Sequence, residues 1–105
     1  MNKQEQIALL DKTEQHIMSI VEQVITVNSD PMLYEQFYSA GLPLKTIEKN
    51  PEIFTHVIKE QRFIKLLGLW ESIVSRQNVK KKVVDFVYKP LTKKTYPEKW
   101  KSKDA

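Results

Sequence analysis

The chain of 105 residues has no cysteine, only two glycines and only two histidines. Without cysteine there is neither a disulfide nor a thiolate metal site, and a reducing compartment, the cytoplasm, is expected. Two isolated glycines cannot build a phosphate loop of the G-x-x-x-x-G-K-[ST] or G-x-G-x-x-G kind. No apolar run approaches the roughly 20 residues needed to cross a bilayer, so no membrane association is expected. The N-terminus enters an amphipathic pattern directly and lacks a signal-peptide core. Ser39, Ser72 and Ser75 have no neighbouring His–Asp arrangement to activate them. These absences point to a binding protein that is not an enzyme, with no cofactor and no metal.

Hydrophobic residues at 41% and charged residues at 29% set the chain apart from disordered sequences. Its formal charge of +4 is unevenly spread. Residues 1–50 carry four lysines against seven acids, and residues 51–105 carry thirteen Lys and Arg against six acids. A cationic C-terminus on a near-neutral body suggests a polyanionic partner, usually nucleic acid. The plainer alternative is a solubilising terminus.

Hydrophobic periodicity predicts an all-α fold of four or five helices. Ile7, Leu10, Ile17, Val21 and Val24 recur at helical spacing and predict one long helix over 3–27, with Glu14 interrupting the stripe. Such a helix exceeds what a small domain covers alone, so a homodimer through this N-terminal helix is expected. Asp30-Pro31 restarts the chain as N-cap and first helical residue. The helix that follows should run to Ala40 and end at Gly41 in the left-handed conformation. A turn at Leu42-Pro43 and a short helix to about Lys49 follow. Asn50-Pro51 repeats the restart. It opens a long apolar segment through Ile53, Phe54, Val57, Ile58, Ile64, Leu67, Trp70, Ile73 and Val74, with a kink or close helix crossing expected at Gly68. Residues 79–88 suit helix or strand, and helix is preferred because no second strand is available for pairing. The domain is expected to span 1–89, with 90–105 forming a basic, extended, partly mobile tail.

Residues 31–50 have the layout of a helix-turn-helix: a helix, a glycine turn and a second helix. Ala40-Gly41-Leu42-Pro43-Leu44-Lys45-Thr46-Ile47-Glu48-Lys49 resembles the A-G-V-S-x-x-T-V/L-x-R pattern of bacterial helix-turn-helix regulators. Asn50-Pro51-Glu52-Ile53 is similar to the N-P-E-L that follows the recognition helix in transposon accessory proteins of the TnpC type. The resemblance covers about 20 residues and implies a small DNA-binding regulator of mobile-element kind. Lys45, Thr46, Lys49 and Asn50 would then lie at the groove.

The motif is not basic, since Asp30, Glu35 and Glu48 oppose Lys45 and Lys49. Phosphate neutralisation must therefore come from Lys80, Lys81, Lys82, Lys93 and Lys94, with Tyr96 and Trp100 available to stack on unpaired bases. Alternatively, Trp100 anchors the tail on the body. The second reading of the whole chain is a helical adaptor or inhibitor that grips a protein through Met32, Tyr34, Tyr38 or the N-terminal stripe. The two readings part on whether residues 43–50 lie beside the lysines, because sites on opposite sides cannot share one duplex. Glu52, His56 and Glu60 are spaced to share a helix face. Three groups on one straight helix cannot surround an ion, so a solvated face is expected there.

Overall fold

A computed structural model describes residues 1–26 and 30–88. It is all-α, with no strand among the described residues. The helices are α1 (Lys3–Thr26), α2 (Pro31–Lys49), α3 (Thr55–Ile58), α4 (Gln61–Val74) and α5 (Val79–Val83), and a π-helical turn over Val84–Tyr88 continues the last. α1 packs on α2, α2 on α4, α4 on α5 and α5 back on α1, closing a ring around the core. The short α3 touches α1, α2 and α4. The expected basic tail lies outside the described residues.

The periodicity of α1 is used inside the chain. Leu10, Ile17, Val21 and Val24 are buried against their own core, which accounts for these four residues of the stripe without a second copy. Burying such side chains contributes about 1.5–3 kcal/mol each. Glu14 interrupts the stripe without cost, because it lies 3.5 Å from Arg62, which also binds Asp11 and Glu60.

α2 begins as read: the Asp30 carboxylate accepts the Met32 amide at 3.0 Å and Pro31 occupies the first turn. It does not end where read. The expected turn at Gly41–Pro43 is absent, and α2 is one helix of 19 residues that passes through both breakers to Lys49. Gly41 is not left-handed, and no described glycine has positive φ. The reason lies on α4. A Cβ built on Gly41 would overlap the Trp70 indole, so this glycine is bare to admit a ring and not to make a turn. Trp70 Nε1 also donates to the Phe37 carbonyl at 3.1 Å, pinning α2 one turn before Gly41. Pro43 removes one helical N–H, and the buried Phe37, Ala40, Leu44 and Ile47 on either side hold the helix together.

The segment after Asn50 is also divided differently. Asn50 closes α2, its Nδ2 donating to the Thr46 carbonyl at 2.7 Å, and does not open a helix. The chain then breaks again at Lys59–Glu60, so α3 and α4 are separate. Buried Gln6 caps the start of α3 from α1. Its Nε2 donates to the Ile53 carbonyl at 2.7 Å and its Oε1 accepts the His56 amide at 3.0 Å. It thereby supplies in trans what a capping side chain supplies locally. Ile53 and Ile64, expected in the core, are exposed.

The two glycines make opposite predictions. Gly41→Ala forces a methyl into the Trp70 ring and should destabilise by about 1–3 kcal/mol. Among the described residues Gly68→Ala meets nothing within 4 Å and should stabilise by about 0.5–1 kcal/mol through helix propensity. Urea unfolding of the two variants should move the midpoint in opposite directions.

Candidate interaction surface

Trp70 on Gly41 and Arg76 over Tyr34 fix α2 antiparallel to α4, since Tyr34 precedes Gly41 while Arg76 follows Trp70. The groove-facing set proposed from sequence sits at the C-terminal end of α2. Lys45 is half-buried, its Nζ 2.8 Å from Glu48 Oε1 and 3.2 Å from Glu71 Oε2. Those hydrogen bonds, to Glu48 first and Glu71 second, raise its pKa above the ordinary lysine value of 10.5. A raised lysine keeps its contribution to stability at neutral pH and loses it only as pH climbs past the folded-state value. Thr46 and Lys49 are exposed, and Thr46 Oγ1 donates to the Leu42 carbonyl at 3.5 Å.

Lys80, Lys81 and Lys82 are exposed on the first turn of α5. They follow Arg76, so they belong to the end of the bundle where α2 starts. Thr46 lies twelve residues beyond Tyr34, about 18 Å along the helix. In the ring of helices α5 stands diagonally across from α2. The two sets therefore do not gather into one site. Lys93, Lys94, Tyr96 and Trp100 lie outside the described residues.

The set proposed for a protein partner divides as well. Met32 is exposed but turns toward α1, where it lines a hollow of about 360 Å³ with His16, Glu35, Gln36 and Ser39. Tyr34 is half-buried beneath Arg76, whose guanidinium stands 3.9 Å over the ring. Tyr38 remains 45% exposed with its ring centroid 5.5 Å from that of Trp70.

Sequence reasoning missed what surrounds Tyr38. Leu42, one turn on, is 40% exposed, and Ile64 on α4 is 53% exposed. Gly68 follows Ile64 by one turn and is also exposed. The Lys45–Glu71 pair bridges α2 and α4 between them. Exposed apolar positions on two adjacent helices were detectable only once the α2–α4 pairing was known.

Glu52, His56 and Glu60 do not share a helix, since α3 covers only Thr55–Ile58. Among the described residues no cluster of His, Asp and Glu could hold a metal ion. Among them, too, no helix is long and apolar enough to cross a membrane. No family model, no curated protein and no solved structure matches this chain.

Arg76 closes α4 in a Schellman motif, with Gln77 N–H donating to the Ser72 carbonyl and Arg76 N–H to that of Ile73, both at 2.9 Å. Its φ of 59° would suit glycine. Arg76→Gly should relieve about 1 kcal/mol of left-handed strain and forfeit about 0.5–1 kcal/mol of cation–π attraction to Tyr34. In a Tyr34→Leu background only the relief remains. A double-mutant cycle by urea unfolding should therefore show Arg76→Gly more stabilising there than in the parent.

Proposed function

We propose that this protein is a small non-enzymatic helical regulator or adaptor that docks on another polypeptide through the outer face of α2 and α4. One observation carries the reading: Tyr38 and Leu42 on α2 and Ile64 on α4 are exposed apolar side chains on two helices that the Lys45–Glu71 pair joins. Apolar side chains grouped on one face of a soluble helical bundle are characteristic of protein contacts. The helix-turn-helix alternative loses its principal support, because a continuous α2 has no second helix to project into a major groove.

Nucleic-acid binding remains a second reading on grounds of charge alone. Residues 1–88 carry eleven Lys and Arg against eleven Asp and Glu, so the whole +4 falls on residues 89–105. Phosphate contacts through Lys80–Lys82 and those residues would be sequence-tolerant, since no reading helix accompanies them.

The full chain, tagged and passed over extract of its source cells, should retain a discrete polypeptide in high salt. Leu42→Asp with Ile64→Asp should abolish that retention, and Lys80→Ala with Lys81→Ala should leave it intact. The opposite pattern favours the second reading: retained nucleic acid, affinity falling steeply between about 50 and 200 mM salt, and loss with the lysine variants. Retention unaffected by either pair of substitutions refutes both.

A further inference from the structure

The described residues end at the wall of a hollow. About 400 Å³ opens between α4 and the segment of α5 and its π-helical turn, with Ile64, Gly68, Leu69 and Phe86 among its apolar lining and Lys65, Lys82 and Asp85 as charged lining. Tyr88, the last described residue, stands two residues past Phe86. Residues 89–105 follow, and their large apolar side chains are Leu91, Tyr96 and Trp100. Pro90, with no N–H to donate, is unsuited to carrying a helix on.

We infer that this hollow is the seat of the chain's own C-terminal segment, with Trp100 as its occupant. Trp100 follows Tyr88 by twelve residues, a span of up to about 40 Å. The 14-residue α4 is about 21 Å long, so Trp100 reaches every part of the hollow. The cost of closing such a loop rises slowly with its length, whereas an indole is among the largest apolar surfaces a side chain can bury. The charges agree as well. The lining carries both signs, and so do the residues around Trp100, where Glu98 stands beside Lys99 and Lys101. Ile64 lines this hollow and also belongs to the exposed set proposed for docking. The seated segment therefore shields part of the docking face, a consequence that rests on the docking role as the seat itself does not.

The chain has two tryptophans, so the emission of the full chain minus that of its Trp100→Phe variant is the emission of Trp100. That difference should lie to the blue of N-acetyltryptophanamide, be quenched several-fold less by acrylamide, and not change with protein concentration. Gly68→Leu fills the hollow and Ile64→Asp makes its lining polar. Measured in either background, the difference should move to that of N-acetyltryptophanamide, while Leu42→Asp on α2 leaves it in place. Helicity by circular dichroism checks that each variant folds. A difference matching N-acetyltryptophanamide in the parent overturns the inference. A blue shift that appears only as concentration rises overturns it too, by putting Trp100 against a second copy. So does one indifferent to both hollow variants, which puts Trp100 elsewhere on the body. The retention experiment separates the docking role: Trp100→Ser should strengthen retention several-fold by uncovering Ile64. Unchanged retention overturns the shielding. No retention by either chain fails the docking role and leaves the seat standing on its emission.

Discussion

The indole of Trp70 lying against the bare backbone of Gly41 is the contact from which the rest of the arrangement follows. It buries a large ring between α2 and α4, and its Nε1 is satisfied by the Phe37 carbonyl, so the polar edge costs nothing on burial. It also sets the register of the two helices. With Gly41 fixed at Trp70, Tyr34 falls beneath Arg76 and Lys45 within reach of Glu71. That register turns Tyr38 and Leu42 outward beside α4. The face proposed for docking is thus a consequence of a packing contact beneath it.

The same contact explains where sequence reasoning succeeded and where it could not. Asp30-Pro31 was legible because its physics is local: a carboxylate accepts an amide two residues on, and a proline has no N–H to lose. The long α1 was legible because its stripe is repeated over about five turns. Gly41-Leu42-Pro43 has two helix breakers in three residues, and every local rule predicts a turn there. The winning term came from Trp70, 29 residues later, together with buried side chains on both flanks. Nothing within a window around Gly41 encodes it. The resemblance to helix-turn-helix regulators used that same window and inherited the same error.

Two further boundaries were hidden for the converse reason, that the chain carries no breaker where it breaks. Between α3 and α4 stand Lys59 and Glu60, ordinary helix formers, while the first turn of α3 is held by Gln6 from the other end of the sequence. At the end of α4 the left-handed position is filled by Arg76, whose cation over Tyr34 offsets what glycine would have supplied. At the start of α3 and at the end of α4 a long-range side chain supplements or replaces a local signal. Helix content was therefore readable in advance, while helix boundaries depended on contacts between distant segments.

The candidate site follows the same division. Charge asymmetry is a property of composition and was visible at once, but whether charges cooperate depends on their arrangement in space. Continuity of α2 holds Thr46 and Lys49 at one end of the bundle, and the path of α4 carries Lys80–Lys82 to the other. A rigid duplex engages both only by spanning the molecule, and α5 stands diagonally across the ring from α2. A protein partner faces no such constraint, because Tyr38, Leu42 and Ile64 are exposed on adjacent helices. The two glycines differ in their surroundings. Gly41 is bare because Trp70 presses on it, and at Gly68 a Cβ meets nothing within 4 Å among the described residues.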